Sequence, residues 1–130
     1  MARVLRITAS GVVALADLND SATATALWEA LPITADASTW GDEIYFAIPV
    51  KQGEDGARAT VDLGDLGYWP PGNAFCIFFG QTPMSRTPEE IRPASPVNVI
   101  GRVRGDVKVF RRVRSSEPVT LERAEGEGLD

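Results

Sequence analysis

The dipeptide Tyr68-Trp69 lies in a segment rich in glycine and proline and is the first candidate for a binding site. Its rings offer flat faces for stacking and polar edges for hydrogen bonds, and Asp65 adds a nearby carboxylate. Side chains in such loops usually face solvent or a ligand, so we predict ligand contacts from residues 64–73. The alternative is that Trp69 plugs one end of the fold while Pro70-Pro71 stiffens the loop. A cis Trp69-Pro70 bond is a further possibility in so tight a turn.

A second candidate site is the segment of residues 39–46, in which Trp40 precedes an acidic turn and strand. Glu43 and Tyr45 are two residues apart, so a strand places them on the same face. A carboxylate beside a tyrosine could orient a polar ligand, or act as a base if it is desolvated. The alternative is that Trp40 belongs to the core and the acids cap the turn.

Two arginines, Arg92 and Arg102, are candidates for a different chemistry. A guanidinium group can polarise a prolyl amide and weaken its partial double bond, which is what prolyl isomerisation requires. The alternative is that both side chains are exposed surface charges.

The residue types that are missing exclude several kinds of site. The chain has no histidine and one cysteine, Cys76, which excludes Ser-His-Asp and Cys-His catalysis and histidine-based zinc sites. Cys76 falls in an apolar run, so we expect it to be buried and unreactive. A hard-cation site would need separate acidic loops to converge, and their spacing is not that of a calcium-binding loop. We therefore expect no metal and no cofactor. The acids concerned are Asp42, Glu43, Asp62 and Asp65.

Length and charge indicate one domain with an acidic tail. The 130 residues are 44% hydrophobic, enough for a single core, and residues 115–130 carry five acids against Arg123 in a chain of net charge -5. We predict a domain over residues 1–114 and a loosely ordered tail over residues 115–130.

No signal-peptide pattern or membrane-length apolar run is present, so we expect a cytoplasmic protein. The basic run at residues 102–114 is interpreted as a solvated strand face, so neither a nucleic-acid nor a membrane partner is expected.

The apolar spacing predicts a mainly β domain with one principal helix. Residues 20–31 have polar cap residues followed by apolar residues at helical intervals, and Pro32 ends the pattern. Short β-type runs separated by turn residues predict about eight mostly antiparallel strands in a closed barrel or a sandwich, with residues 74–79 central and a possible edge strand at 119–121. The runs are residues 3–8, 12–18, 33–37, 43–48, 57–63, 74–79, 97–103 and 107–113, the last two as a hairpin.

Three long motifs resemble a known family. TWGDEIYFAIPV, GDLGYWPPGNAFCIFFGQTP and PASPVNVIGRV are similar to a small prokaryotic family of cyclophilin-like proteins of uncharacterised function, over roughly residues 3–112. The resemblance implies a closed cyclophilin-like β-barrel. The Phe-His-Arg and Phe-Met-x-Gln-Gly-Gly-Asp motifs of active cyclophilins are absent, so no catalytic residue is carried over.

These observations favour a non-enzymatic domain that binds a small molecule or an extended peptide at the aromatic segment. One alternative is a peptidyl-prolyl isomerase of weak or atypical activity. The other is a structural or oligomerisation module, and the oligomeric state is open, with a homo-oligomer possible.

Overall fold

The computed structural model describes residues 3–124, and within them nine β-strands, one α-helix and two short 3₁₀ helices. Helix α1 spans Ala22–Ala30, and the 3₁₀ helices span Pro70–Gly72 and Val107–Arg112. The strands are β1 (Arg3–Ala9), β2 (Val12–Leu18), β3 (Ile33–Asp36), β4 (Ser38–Thr39), β5 (Glu43–Ala47), β6 (Asp65–Trp69), β7 (Ala74–Phe78), β8 (Asn98–Val103) and β9 (Pro118–Arg123).

The strands form one antiparallel sheet that curls into a nearly closed barrel. Their order is β3-β9-β1-β2-β8-β6-β7-β5-β4, so β3 and β4 lie at opposite ends of the sheet although only Ala37 separates them in sequence. The N–H of Ala37 donates to the Glu117 carbonyl at 2.8 Å, and its own carbonyl accepts from the Ser116 N–H at 2.8 Å. The chain therefore passes from one end of the sheet to the other at Ala37. The predicted cyclophilin-like barrel with one main helix is confirmed, with nine strands among residues 3–124.

Helix α1, at Ala22–Ala30, lies within the predicted range of residues 20–31. The Ser21 hydroxyl caps it by accepting a hydrogen bond from the Ala24 N–H at 3.2 Å, and Leu31 and Pro32 follow its last turn. Ala24 and Leu27 are fully buried against the barrel, and Trp28 packs at the edge of this core. The cis peptide bond of the described residues is Leu31-Pro32, not Trp69-Pro70.

The sheet has an apolar cluster on each of its faces near β7. Phe75 and Ile77 of β7 belong to the barrel interior, whereas Cys76 and Phe78 belong to a second cluster on the outer face. This strand lies between β5 and β6 and is buried at every position, as predicted. Residues between β5 and β6 and between β7 and β8 contribute to the outer cluster, and bridges join these two segments at Val61 and Ile91 and at Arg58 and Val97.

Two predicted strands are wrong. Residues 57–63 make only isolated bridges, and residues 107–112 form a 3₁₀ helix, so β8 pairs with β2 and β6 rather than in the predicted hairpin. The buried residues Val107, Phe110 and Val113 recur every third position, which suits three residues per turn rather than a strand. Asp106 starts this helix because its carboxylate accepts from the Lys108 N–H at 3.0 Å.

Two predicted irregular segments are regular elements. Residues 65–69 form strand β6 rather than part of a loop. The predicted strand near residue 119 exists as β9, but it lies between β3 and β1 and not at an edge, so residues 118–123 belong to the barrel. The predicted tail beyond Ala124 lies outside the described residues. No helix within residues 3–124 is long and apolar enough to cross a membrane.

Candidate functional site: an aromatic pocket on the outer face of the sheet

A largely apolar pocket of about 250 Å³ opens on the outer face of the sheet. We call it the aromatic pocket; its lining residues are Trp40, Tyr45, Trp69, Cys76 and Ala94. Trp40 follows β4, and Tyr45, Trp69 and Cys76 come from three adjacent strands, β5, β6 and β7. The two segments considered separately in the sequence therefore contribute to one cavity.

The sheet register and two local contacts hold the pocket walls. Tyr45 lies directly opposite Cys76 in the pairing of β5 with β7. The Trp69 indole N–H donates to the Ser95 hydroxyl at 2.6 Å, which ties this wall to the segment before β8. A Cβ atom at Gly72 would lie 2.7 Å from the Trp69 ring, so the glycine lets the indole lie against the backbone there.

Glu43 does not line the pocket but lies on the same face of β5 as the lining residue Tyr45. Its side chain is buried, and Oε1 has no hydrogen-bond partner among residues 3–124. Burial raises the pKa of Glu43 to about 7, because removal from water disfavours the charged carboxylate, and a hydrogen bond with Cys76 offsets part of this effect. The carboxyl therefore changes charge near neutral pH.

Cys76 is buried, and its thiol donates to the Ala74 carbonyl oxygen at 3.8 Å. The thiol also interacts with the Glu43 carboxyl, so Cys76 lies between the pocket floor and this buried acid. Burial raises the pKa of the Cys76 thiol well above its usual range, and the charge of Glu43 raises it further. The thiol stays protonated near neutral pH, which makes it a poor nucleophile. Its predicted burial is confirmed.

Tyr68 does not reach the aromatic pocket, in contrast to the expectation that its ring faces solvent or a ligand. Successive residues of a strand point to opposite faces, so Tyr68 enters the barrel interior while Trp69 faces outward. The ring is fully buried, and its hydroxyl lies 2.6 Å from the carbonyl oxygen of Val50 and accepts from the Gln52 N–H at 3.1 Å.

The remaining predicted site residues do not line the pocket and are engaged in ion pairs. The Arg102 guanidinium lies 3.1 Å from Oδ1 of the buried Asp65 and 3.3 Å from Oδ2 of Asp62. Nε of Arg92 lies 3.0 Å from Oε1 of Glu90. No group of three or more potential metal ligands lies together in the described part of the chain.

Sequence reasoning missed Cys76 and Ala94 as pocket residues. Cys76 is an apolar-run residue like its neighbours, and only the register that sets it opposite Tyr45 marks it as part of the site. Ala94 lies in a proline-containing connection and carries no chemical signal of its own.

Comparison with known proteins supports the resemblance seen in the motifs. A family model described as Cyclophilin-like matches residues 3–122. The chain belongs to the cyclophilin-like family. Among solved structures, it is similar to the solution structure of the hypothetical protein AF2241 from Archaeoglobus fulgidus, with 41% identity, a TM-score of 0.79 and 95% of each chain covered. No curated protein matches the sequence. The cyclophilin-like assignment thus covers β1 through most of β9, further than the motifs alone indicated.

Proposed function

We propose that this cyclophilin-like domain binds a small, largely apolar molecule in the aromatic pocket. The observation that carries the proposal is the convergence of Trp40, Tyr45 and Trp69, from different parts of the chain, around one open cavity. Large aromatic side chains usually pack into a core, whereas these three are only partly buried and line a surface concavity.

The pocket size limits the ligand. Its volume of about 250 Å³ exceeds the ~150 Å³ cavity that accommodates benzene and lies below the ~300 Å³ at which drug-sized sites begin. A body of one or two rings, or one side chain of an extended peptide, matches this space.

Tryptophan fluorescence tests the proposal. Trp28 lies on α1 beneath the Arg123 guanidinium, away from the pocket, so Trp28→Phe leaves Trp40 and Trp69 as the only tryptophans. In this background we expect a saturable change in fluorescence with benzyl alcohol or benzylamine. Trp69→Ala and, separately, Trp40→Ala should weaken binding at least about tenfold, since each removes a wall of the cavity.

Circular dichroism and a denaturation curve check that each alanine variant is folded. Equal affinity in the folded alanine variants and the Trp28→Phe parent would contradict the proposal, as would no saturable response to any probe.

The site geometry favours binding over the other two functions considered. Isomerase activity would need a cation at the pocket, yet neither Arg92 nor Arg102 lines it and both are paired with carboxylates. A protease-coupled prolyl peptide assay tests this alternative, which requires a rate above the uncatalysed one. A purely structural or oligomerisation module would need no open aromatic cavity.

A further inference from the structure

The aromatic pocket combines two features that attract a positive charge. The faces of Trp40, Tyr45 and Trp69 carry the negative part of the ring quadrupole, which favours a cation held over them, and tryptophan is the strongest of these partners. The lining includes no lysine or arginine, so no cationic side chain from residues 3–124 lines this space.

Glu43 supplies the second feature. It is 94% buried, and its Oε1 atom has no hydrogen-bond partner among the described residues. Buried carboxylate oxygens are rarely left without a donor, and an exception calls for a functional explanation. Glu43 is not itself a lining residue, but its carboxyl interacts with Cys76, which lines the pocket, so Glu43 lies behind the cavity floor.

We propose that the pocket selects a small protonated primary amine, which donates an N–H to Glu43 while its apolar body lies against the three rings. This inference rests on the proposed function and names the chemical class of its ligand. A neutral apolar ligand would fill the cavity but leave Oε1 without a donor. A quaternary ammonium ion would contact the rings but could not donate a hydrogen bond.

The surroundings of Glu43 leave its charge uncompensated. The Cys76 thiol of β7 is the titratable group that acts on it, and burial keeps that thiol neutral. The adjacent Asp42 faces the Arg111 guanidinium at 3.5 Å instead. An ammonium group bound in the pocket would therefore be the counter-ion of Glu43. Binding favours the ionised carboxyl, so amine affinity should rise with pH until Glu43 is fully ionised.

Three matched probes test the inference: benzylamine, benzyl alcohol and benzyltrimethylammonium. Each is titrated into the Trp28→Phe protein and into the same protein carrying Glu43→Gln, with the exposed Glu89→Gln as the control. At about pH 8 we expect benzylamine to bind at least about tenfold more tightly than either other probe. Glu43→Gln should reduce this preference to about twofold by weakening benzylamine binding more than benzyl alcohol binding, and Glu89→Gln should retain it.

The pH dependence gives a second measurement that needs no substitution at Glu43. Between about pH 8 and pH 6 the affinity for benzylamine should fall about tenfold, as the fraction of ionised Glu43 falls, while that for the uncharged benzyl alcohol should fall much less. Equal binding of amine and alcohol, a preference that survives Glu43→Gln, or a flat pH profile would each overturn the inference and leave the proposed function standing. If benzyltrimethylammonium bound more tightly than benzylamine, the proposed hydrogen bond to Glu43 would be contradicted. A failure of all probes to bind would overturn both proposals.

Discussion

Glu43 shows how position in the sheet changes the chemistry of a single side chain. In the sequence its spacing from Tyr45 makes it a candidate site residue, but nothing indicates that it is buried while the adjacent Asp42 is not. In the structure Asp42 is partly exposed and paired with Arg111, whereas Glu43 is buried beside Cys76. The two neighbours differ because the pleat of β5 turns Glu43 toward the outer cluster.

The raised pKa of Glu43 predicts that stability falls as pH rises. The folded state holds this proton up to about pH 7, whereas the unfolded chain releases it near pH 4.5. The free energy of unfolding should therefore fall between about pH 4.5 and 7.5, by on the order of 3 kcal/mol at 1.36 kcal/mol per pH unit. Urea denaturation at several pH values measures this slope.

Glu43→Gln should flatten the slope, whatever its effect on absolute stability, and Glu89→Gln should leave it unchanged. The carboxyl of Asp17, whose hydrogen bond with Arg104 lowers its pKa, has the opposite effect, with stability lost only below its ordinary pKa. The window between pH 5 and 7 therefore reports on Glu43. An identical slope in the Glu43→Gln variant would contradict its assigned burial and pKa.

At the scale of elements, β8 requires a glycine at position 101 because it packs closely against β2. In β8, Gly101 lies opposite Leu18 of β2 and Leu66 of β6. A Cβ atom there would lie 2.4 Å from the Asp17 carbonyl oxygen and 3.1 Å from the Cα atom of Leu18. Both are backbone atoms of β2, which cannot turn aside as a flexible side chain could.

Gly101→Ala should accordingly lower the free energy of unfolding by at least about 2 kcal/mol, because β2 and β8 must separate to admit the methyl group. Gly53→Ala is the matched control, since a Cβ at Gly53 meets nothing within 4 Å; we expect a change within about 0.5 kcal/mol. Urea denaturation of both variants measures the difference. Equal stability of the two would show that β2 and β8 are further apart than described.

At the scale of the whole molecule, β9 completes the barrel. It pairs with β1 through residues 119–123 and with β3 through residues 118–121, and its Val119 and Leu121 side chains are fully buried. Without it, β3 would lose its strand partner, β1 would lose one of its two partners, and the interior would open to water. The C-terminal strand therefore joins β3 to the rest of the sheet.

Truncation tests this role. A chain ending at Ser116 should lose cooperative thermal unfolding, monitored by circular dichroism, because it lacks β9. A chain ending at Ala124 keeps every described strand and should unfold cooperatively near the temperature of the full chain. A cooperative transition in the shorter chain would show that β9 is dispensable.

The sequence by itself determined the elements whose signals are local. Ser21 caps α1 and Pro32 follows its end because both effects act within one or two helical turns. Alternating apolar residues were sufficient to predict the positions of most strands. The long motifs identified the cyclophilin-like barrel. Local patterns failed at residues 107–112, where valines also suit a 3₁₀ helix, and at Tyr68, whose loop-like neighbours concealed a strand.

Only the tertiary structure decided which side chains form the site. Trp40, Tyr45 and Trp69 meet because β5 and β6 both pair with β7, and a shift of one residue in either register would turn one of these rings to the opposite face. The same register buries Glu43 beside Cys76, which raises its pKa. Strand pairing joins residues far apart in the chain, so local composition predicted the aromatic and acidic residues but not the pocket that they form.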